Sequence, residues 1–470
     1  MAIRFGTSGW RAVIADEFTF AGVRSVTNAI CSHFESRKPA EDLMIVGYDT
    51  RFLGEQFAEE CANVISANGF RAVLCDGPVP TPTISHVIRT QGAVCGINFT
   101  ASHNPPQYNG MKLSTSDGAP ALPEITRNVE QLIEANASTA STVSSTVNDS
   151  QSAALATFAA RPAYLADLET KIDFEVIARA GGRYAYDPLW GTGRGYLDES
   201  LRSHGLEVTT IHDWRDVLFG GRSPEPEASH LSELRDVVLS KGCALGLATD
   251  GDADRFGIID ANGSFITPNQ LIALLFDYLV ESRKWSGGAA RSVATSHLVD
   301  RVAVSRGLPL YETPVGFKFI GELINEDKIV IGGEESAGLS IKGHYPEKDG
   351  ILACLLAAEA VAARGASLTE QLDDLYRRVG KLESGRIGVR LTPELMASLS
   401  GKLKQDPKEI GGRHVSQTNR TDGVKFIFAD GSWLLMRPSG TEPVVRIYAE
   451  SESAKDLEVL LEQGHKFLLG

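Results

Sequence analysis

The chain has 470 residues, a formal net charge of −14, 43% hydrophobic residues and 23% charged residues. This length is too great for one hydrophobic core, and a rule of ~150 residues per domain predicts three or four domains. The negative charge disfavours a nucleic acid partner, and no apolar run approaches the ~20 residues that span a bilayer. A small anionic ligand would therefore need a local cationic site built against the overall charge.

Residues 1–6 lack the apolar core of a signal peptide, so secretion is not expected. The 6 cysteines are scattered without a CxxC pair, and several fall in apolar segments, as is typical of reduced core cysteines. The longest apolar stretch, residues 351–363, contains Glu359 and predicts a buried helix. These features predict a cytoplasmic protein that is not inserted in a membrane.

The first third of the chain alternates β-branched runs with amphipathic stretches, which predicts βαβ units and largely parallel sheets. Its strands are predicted at residues 44–49, 72–75 and 93–97. The last of them leads into residues 100–105 (TASHNP), which set Ser102 among small and turn-forming residues. Residues 135–154 are rich in Ser, Thr and Ala and predict a loop near a domain boundary.

Two further sets with the same order of strand, loop and helix follow. Their strands are predicted at residues 183–187, 206–210, 245–249, 292–295, 308–311 and 329–331. After about Gly380 the pattern changes to a hairpin, a strand and a helix, which indicates a smaller α+β domain. These elements are predicted at residues 424–428, 433–436, 444–448 and 454–469, with the hairpin turn at Asp430-Gly431.

Four predicted strands end in polar loops that contain glycine or proline. In open parallel sheets, ligands bind beyond the carboxyl ends of the strands. The loops follow the three α/β sets and the hairpin, at residues 100–105, 250–255, 332–338 and 437–443.

The hydroxyl of Ser102 has two interpretations. Serine and asparagine favour turns through local hydrogen bonds, so Ser102 would simply cap its loop. A serine nucleophile instead needs activation by a base, by a metal, or by a group that it already carries. Taken alone, this loop favours the interpretation as a turn cap. The other loops are needed to distinguish a turn cap from a nucleophile.

Asp250, Asp252 and Asp254 form an acidic loop after a predicted buried strand. Their charges would repel one another unless a hard cation such as Mg²⁺ neutralised them. The alternatives are a solvated acidic turn and an EF-hand, but an EF-hand needs glycine and glutamate where this chain has Arg255 and Ala261. Because Mg²⁺ usually keeps positions open for substrate phosphates, the loop points to phosphoryl transfer.

The segment from Arg437 to Thr441 combines a guanidinium, two hydroxyls and a glycine after a strand, and Arg446 adds a second guanidinium. Backbone N–H groups in such a turn form a nest for anions, and arginine binds phosphate with two parallel hydrogen bonds. A plain hairpin end would explain the proline and glycine but not the arginines. The segment therefore predicts a phosphate site.

Three weaker signals become informative in combination. Glu334 and Ser336 suit adjacent sugar hydroxyls, although paired glutamates are usually solvated surface residues. Lys318 follows another strand in residues 313–318 (TPVGFK), and Arg11 follows a glycine-rich turn.

Together these motifs resemble the α-D-phosphohexomutase family. The residues that carry the resemblance are 6–11 (GTSGWR), 100–105 (TASHNP), 250–255 (DGDADR), 333–338 (GEESAG) and 437–441 (RPSGT). The resemblance implies a heart-shaped protein with three α/β domains of mixed and parallel sheets and a fourth α+β domain around one central cleft. On this basis we expect domains at residues 1–150 with the phosphoserine loop, 151–258 with the metal loop, 259–378 with the sugar loop, and 379–470 with the phosphate loop.

The resemblance also implies a mechanism. Ser102 matches the family's phosphoserine, which passes its phosphoryl group to a sugar monophosphate and recovers one from the bisphosphate intermediate. Mg²⁺ is then bound by Ser102 and the three aspartates. Lys112 matches the lysine of general acid/base catalysis, which would need a depressed pKa, and His103, Arg255 and Arg11 are expected to assist.

The family's sugar contacts fall on Glu334 and Ser336. The phosphate contacts fall on Lys318, Arg437, Ser439, Gly440, Thr441 and Arg446. Residues 333–338 and 313–318 look most like phosphoglucomutases, so the expected reaction interconverts glucose 1-phosphate and glucose 6-phosphate, with glucose 1,6-bisphosphate as intermediate and activator. The alternatives are a phosphomannomutase or dual-specificity phosphohexomutase, a sugar-bisphosphate synthase or phosphatase, and a catalytically silent phosphosugar-binding scaffold.

The expected partner is a small hexose phosphate, and the expected assembly is a monomer or weak homodimer.

Overall fold

The computed structural model describes residues 3–36, 41–139, 155–439 and 444–469. The chain divides into two compact units. Unit 1 contains Met1–Ile266 and Ala337–Leu368, and unit 2 contains Thr267–Ser336 and Thr369–Gly470.

The first sheet lies in unit 1. Its elements are β1 (Trp10–Val13), α1 (Phe20–Glu35), β2 (Leu43–Tyr48), α2 (Gly54–Ala67), β3 (Arg71–Cys75), α3 (Thr81–Gln91), β4 (Cys95–Phe99), β5 (Tyr108–Thr115), α4 (Pro123–Thr139) and β6 (Ala156–Phe158). The strands are ordered β1-β5-β4-β2-β3-β6. Strands β2, β3, β4 and β6 are parallel, whereas β5 is antiparallel to both β4 and β1.

Strand β2 shows why this sheet is covered on both faces. Met44 and Val46 join the core that α1, α2 and α4 cover, while Leu43 and Ile45 pack in a second cluster with residues of α3. Side chains alternate between the faces of a strand, so a strand buried on both faces has a continuous apolar sequence.

The second sheet also lies in unit 1. Its elements are α5 (Ala160–Leu168), α6 (Phe174–Ala180), β7 (Arg183–Asp187), α7 (Leu197–Ser203), β8 (Glu207–Thr210), α8 (Ser232–Lys241), β9 (Leu245–Thr249), β10 (Phe256–Asp260) and β11 (Phe265–Ile266). The strands are ordered β11-β10-β9-β7-β8. Strand β7 is parallel to β8 and β9, and β10 is antiparallel to β9 and β11.

The third set of elements begins unit 2. It comprises α9 (Pro268–Arg283), β12 (Gly288–Ser292), α10 (Leu298–Arg306), β13 (Leu310–Thr313), α11 (Phe317–Asn325) and β14 (Ile329–Glu334). Strand β12 is parallel to both β13 and β14. The chain then returns to unit 1 with β15 (Gly338–Ile341) and α12 (Gly350–Arg364), a buried helix that contacts β9 and β10.

The last elements are α13 (Leu368–Val379), β16 (Glu383–Arg390), α14 (Pro393–Leu403), β17 (Glu409–Ile410), β18 (Arg413–Asn419), β19 (Val424–Phe428), β20 (Trp433–Pro438), β21 (Val444–Ser451) and α15 (Ala454–Leu469). The six strands are ordered β16-β21-β20-β19-β18-β17 and are antiparallel throughout. Helix α15 contacts β20 and β21. The α/β sets with mixed sheets and the final α+β set confirm the predicted fold class.

Most predicted elements are confirmed, but two were misplaced. A strand was expected at residues 292–295, whereas β12 ends at Ser292. Its residues Gly288, Ala289 and Ala290 carry no aliphatic signal, and a Cβ on Gly288 would lie 2.2 Å from the Pro309 carbonyl oxygen. The loop expected at residues 135–154 is also wrong at its start, because α4 continues through Thr139. Residues 140–154 lie outside the described residues.

Three features of the structure lie at or across the expected domain boundaries. The boundary at residue 258 falls inside β10, and the pairing of β10 with β11 extends the second sheet to Ile266. Residues 337–368, which fall within the expected third domain, are grouped with unit 1. Strand β6 pairs with β3, so the first sheet continues past residue 150.

All six cysteines are free and buried, as predicted for core residues. Among the described residues no single helix is long and apolar enough to cross a bilayer, and only α12 and α13 taken together would qualify by length and composition.

Candidate active site

The Ser102 loop joins β4 to the antiparallel β5. Ser102 is 1% exposed and has a φ of +51°, in the left-handed region that costs a residue with a Cβ about 1 kcal/mol or more. Its Oγ donates to Asp250 Oδ2 at 2.6 Å, across 148 residues of sequence. The strained backbone thus aims a buried hydroxyl at a distant carboxylate, which indicates a functional residue rather than a turn cap.

Asp250, Asp252 and Asp254 lie in the loop between β9 and β10. Each is at most 1% exposed, and one carboxylate oxygen from each lies within 4.8 Å of the others. Because this loop joins two strands, the EF-hand alternative is excluded.

Two carboxylate oxygens in this cluster fit a role as metal ligands. Within the described residues, the buried Oδ1 atoms of Asp252 and Asp254 have no hydrogen-bond partner. Buried polar atoms are normally satisfied, and oxygen ligands with open positions are what Mg²⁺ prefers. The acidic loop therefore fits a magnesium ion.

Glycines allow the loops around the three aspartates to pack closely. A Cβ on Gly251 would lie 2.7 Å from the Ser102 carbonyl oxygen, and a Cβ on Gly191 would lie 2.7 Å from the Asp250 carbonyl oxygen. Thr81, at the start of α3, holds Asp252 through its backbone N–H at 2.9 Å and its hydroxyl at 2.5 Å. A side chain at Gly251 would push the Ser102 loop away from the carboxylates, and a side chain at Gly191 would push the carboxylate loop away from the loop after β7.

Lys112 on β5 lies against the same carboxylates. Its Nζ donates to Asp252 Oδ2 at 2.5 Å and to Asp254 Oδ2 at 2.6 Å. Burial favours the neutral amine, but Asp252 and Asp254 outweigh burial and raise the pKa of Lys112. In this arrangement Lys112 is therefore an ammonium ion and a proton donor, whereas accepting a proton would need a lower pKa.

The carboxylates themselves have unequal surroundings. Burial and the charges of Asp252 and Asp254 raise the pKa of Asp250 well above its usual range. Burial also favours the neutral form of Asp254, but Lys112, Lys348 and Arg255 outweigh it and hold the pKa of Asp254 below its usual range.

Lys348 is a cation that the sequence did not suggest. Its Nζ lies 2.9 Å from Asp254 Oδ2 and 3.2 Å from Glu347 Oε1, and the residue is 7% exposed. It follows the third α/β set in sequence, yet it belongs to unit 1.

The structure places the other expected catalytic residues around Ser102. His103 Nδ1 lies 3.3 Å from Ser102 Oγ, and burial together with the charges of Arg255 and Arg11 lowers the pKa of His103 well below its usual range. The imidazole is therefore neutral, and its surroundings oppose its protonation. Arg255 pairs with Glu225 at 2.8 Å, while its backbone N–H donates to Asp250 Oδ1 at 3.0 Å.

Arg11 lies on β1, beside β5. Its Nη1 donates to Asn104 Oδ1 at 2.7 Å, in the loop that holds Ser102. Its Nε is buried without a hydrogen-bond partner within the described ranges, and burial lowers the pKa of Arg11.

Arg51 organises the Ser102 loop and was missed by sequence analysis. Its guanidinium is fully buried and donates to four backbone carbonyl groups of that loop. The acceptors are Ser102 at 2.7 Å, Asn104 at 2.6 Å, Pro105 at 2.9 Å and Tyr108 at 3.0 Å. Asp49 pairs with Arg51 at 3.2 Å and accepts a 2.6 Å hydrogen bond from Thr100 Oγ1.

The expected substrate-binding residues lie in unit 2. Glu334 ends β14, is 4% exposed, and accepts a 2.8 Å hydrogen bond from the Gly316 N–H through Oε1. Arg437 Nε donates to Asp422 Oδ2 at 2.8 Å, and the same oxygen accepts from the Val315 N–H at 3.1 Å. Asp422, also missed by sequence analysis, therefore ties Arg437 to the loop that precedes Lys318.

The remaining phosphate candidates are arranged around β20 and β21. Arg437 and Arg446 are direct partners in the ladder between these strands, so both guanidinium groups start from neighbouring positions. The Ser439 N–H donates to the Val444 carbonyl at 2.8 Å. Lys318 and Ser336 are partly exposed, and Gly440 and Thr441 lie outside the described residues.

Comparison with protein families identifies four matching models. They are described as Phosphoglucomutase/phosphomannomutase alpha/beta/alpha domain I over residues 2–140, domain II over 162–263, domain III over 267–379, and C-terminal domain over 389–463. The matches occur once each, in this order, and together span most of the chain.

Three curated relatives resemble almost the whole chain. The phosphoglucomutase/phosphomannomutase of Thermococcus kodakarensis is 30% identical and covers 99% of this chain and 98% of its own length. The phosphoglucomutase of Komagataeibacter xylinus is 31% identical, covering 97% and 89%. The phosphoglucosamine/phosphogalactosamine mutase of Sulfurisphaera tokodaii is 28% identical, covering 99% of each.

A solved structure is also similar to this chain over its whole length. A protein of Thermus thermophilus, assigned provisionally as a phosphomannomutase, is 34% identical, with a TM-score of 0.86 and 100% coverage of both chains. Because family models, relatives and structure all agree, this chain belongs to the phosphoglucomutase/phosphomannomutase family of α-D-phosphohexomutases.

Proposed function

We propose that this phosphohexomutase is a phosphoglucomutase, which interconverts glucose 1-phosphate and glucose 6-phosphate. The observation that carries the proposal is the buried Ser102 Oγ, 2.6 Å from Asp250 in a cluster of three carboxylates. A hydroxyl beside three carboxylates that can bind Mg²⁺ is well placed for a serine that carries a phosphoryl group. The sequences of residues 333–338 and 313–318 support glucose over other hexoses.

In the proposed reaction, phosphorylated Ser102 donates its phosphoryl group to a sugar monophosphate. The free sugar hydroxyl attacks phosphorus, and the bond from phosphorus to Ser102 Oγ breaks. The hydroxyl proton passes to a protein base, and the released Ser102 Oγ takes up a proton. The resulting glucose 1,6-bisphosphate then binds in the opposite orientation. Ser102 Oγ then attacks the other phosphoryl group and gives up its proton, the bond from that phosphorus to the sugar oxygen breaks, and the sugar oxygen regains a proton.

We assign the proton transfers to Lys112, which donates as the ammonium ion and accepts once it has lost that proton, with His103 assisting. Asp252 and Asp254 favour the ammonium form of Lys112, which is the donating form, and the His103 ring beside Ser102 Oγ is neutral. Arg11 and Arg255 supply fixed positive charge near the reacting oxygen, which is the main contribution that a protein makes to phosphoryl transfer.

The three aspartates and Ser102 would hold Mg²⁺. When bound, the ion supplies positive charge to the phosphoryl oxygens as their charge develops. The crowded carboxylates of the protein supply the site, and the Thr81 hydroxyl fixes Asp252 within it.

We assign sugar recognition to Glu334 and Ser336. The phosphate that does not react is assigned to Lys318, Arg437, Ser439, Gly440, Thr441 and Arg446. The Asp422 bridge supports this assignment, because it holds Arg437 and the loop before Lys318 in one hydrogen-bonded group.

Activity on mannose or glucosamine phosphates is a second candidate. The names of the Thermococcus kodakarensis and Sulfurisphaera tokodaii relatives favour it, since one includes phosphomannomutase and the other phosphoglucosamine mutase. A bisphosphate synthase would use the same phosphoserine but release the intermediate.

One kinetic comparison tests the proposal. With Mg²⁺ and a trace of glucose 1,6-bisphosphate, we expect kcat/KM for glucose 1-phosphate to exceed that for mannose 1-phosphate and glucosamine 1-phosphate. Ser102→Ala should abolish turnover and remove the phosphoryl mass from the intact protein. A preference for mannose or glucosamine would overturn the glucose assignment, and free bisphosphate formed in proportion to turnover would indicate a synthase.

Glu334→Gln should weaken discrimination among hexose phosphates without unfolding the protein. The amide oxygen of glutamine can still accept the hydrogen bond from the Gly316 N–H, whereas the charged acceptor for sugar hydroxyls is lost. We expect the ratio of kcat/KM for glucose over mannose phosphates to fall about tenfold, as for a charged hydrogen bond. Glu326→Gln, at an exposed ion pair with Lys328, is the control. An equal loss for every sugar would argue against Glu334 as a specificity residue.

A further inference from the structure

A cavity of about 340 Å³ lies in unit 1 and has no part in the proposed site. Three segments line it: the loop from Asp76 to Val79 after β3, the start of α5 at residues 159–162, and the loop from Thr192 to Tyr196 before α7. Ser102, Lys112 and the three aspartates are absent from its lining. The volume suits a small ligand, since binding cavities start at about 300 Å³.

Two arginines give this cavity its chemistry. Arg194 is partly buried, and no hydrogen bond or ion pair to it occurs within the described parts of the chain. Burial and the charge of Arg215 lower the pKa of Arg194, although Asp213 partly compensates. A guanidinium in such surroundings gains stability from an added anion.

Arg161 adds a second guanidinium at the same wall. Its Nη1 lies 3.4 Å from the carbonyl oxygen of Gly195, the residue after Arg194, and 3.7 Å from Glu199 Oε1. Its side chain is 50% exposed, so it can move toward a ligand. Two arginines in adjoining positions match the oxygens of a phosphate group.

The other polar groups of the lining favour a ligand that also carries hydroxyls. Asp76 offers a carboxylate that accepts hydrogen bonds from hydroxyl groups but repels a bare anion. Gly77 leaves open space, because a Cβ built there meets nothing within 4 Å. A phosphorylated sugar or polyol satisfies both the arginines and the carboxylate.

We propose that this cavity is a second, non-catalytic binding site for a phosphorylated sugar or polyol. Its walls continue directly into the segments that hold the metal loop. The loop that includes Asp76 leads into Thr81, which bonds to Asp252, and the Thr192 N–H donates to the Gly251 carbonyl at 3.1 Å. Two short segments, one ending at Thr81 and one beginning at Thr192, therefore connect the cavity to the loop that carries the carboxylates.

The test counts bound ligand. Calorimetric titration with glucose 6-phosphate, and separately with inorganic phosphate, should show that the protein binds one more equivalent of glucose 6-phosphate than Arg194→Gln does. Arg194→Gln should raise the Kd of the additional glucose 6-phosphate at least tenfold and leave the Kd of the glucose 6-phosphate in the proposed active site unchanged. Arg179→Gln, an exposed arginine on α6, is the matched control and should bind like the unaltered protein.

Gly77→Leu tests the same site by volume rather than by charge. The leucine should fill the cavity and remove the extra equivalent while Arg194 remains in place. Thermal unfolding of each variant shows that it is folded. Equal stoichiometry in all four proteins would overturn the proposal, and an extra equivalent of phosphate but not of glucose 6-phosphate would overturn the sugar or polyol assignment. Neither result depends on which hexose phosphate the enzyme isomerises.

Discussion

Asp252→Asn is expected to lower kcat by roughly two to three orders of magnitude, because it removes one preorganised charge from a phosphoryl-transfer site. The substitution keeps the size of the side chain but removes one of the two carboxylate charges that hold Lys112. It also replaces one oxygen of a carboxylate whose Oδ1 has no hydrogen-bond partner among the described residues. Because these contacts act on the transition state, the loss should fall on kcat more than on KM.

Binding of Mg²⁺ gives this prediction a second measurement that is independent of activity. A ligand that binds only the folded state stabilises it, so added Mg²⁺ should raise the Tm of the unaltered protein. The rise should be smaller in Asp252→Asn. Asp236→Asn, at an exposed position on α8, should retain both the kcat and the Tm shift. A variant with normal kcat and a normal shift would remove Asp252 from the site.

The polar loops at strand ends were predictable because each one is local. Ser102, the three aspartates and the segment from Arg437 all follow short apolar runs, and such runs predict strands, each followed by a loop that can bind a ligand. The same reasoning placed β7, β9 and the β19–β20 hairpin correctly. It failed at β12, where small residues replace the branched residues that signal a strand.

The antiparallel strands were harder to predict. Strands β1, β5 and β10 pair with neighbours on the first two sheets, yet no sequence run suggested them. Glycines explain part of this difficulty. Gly9 and Gly110 allow β1 and β5 to lie close together, since a Cβ on Gly110 would meet the Trp10 carbonyl oxygen at 2.7 Å. A glycine normally weakens a strand signal, but here it permits the pairing.

The charged partners of the site depend on contacts over long sequence separations. Lys348 reaches Asp254, and Arg51 reaches the carbonyl groups of residues 102–108. No spacing rule connects such residues before the chain is folded. The raised pKa of Lys112 has the same origin, because two carboxylates from another sheet set it.

Arg51→Met is expected to reduce the free energy of unfolding by about 3–5 kcal/mol, the cost of leaving one member of a buried ion pair alone. The substitution removes hydrogen bonds from four carbonyl groups and leaves Asp49 buried without its cation. Turnover should fall as well, since the left-handed backbone of Ser102 would lose its support.

The loss of stability in Arg51→Met should depend on pH in a direction that Asp49 fixes. Burial already raises the pKa of Asp49 to about 6, above its value of ~3.9 in the unfolded chain, despite the opposing charge of Arg51. A raised pKa stabilises the folded state at low pH, and this stabilisation is lost as pH rises through the folded pKa. Without Arg51 the pKa rises further, so the variant should lose more stability at pH 8 than at pH 5.

Urea unfolding at both pH values measures these changes. Arg24→Met, at an exposed ion pair with Glu60, should cost no more than ~1 kcal/mol at either pH. Adding Asp49→Asn to Arg51→Met should restore part of the stability and remove its pH dependence, because the uncompensated charge is gone. Turnover should remain low in the double variant, since asparagine cannot replace the guanidinium that holds the Ser102 loop. Full activity there would show that Arg51 serves only to balance Asp49.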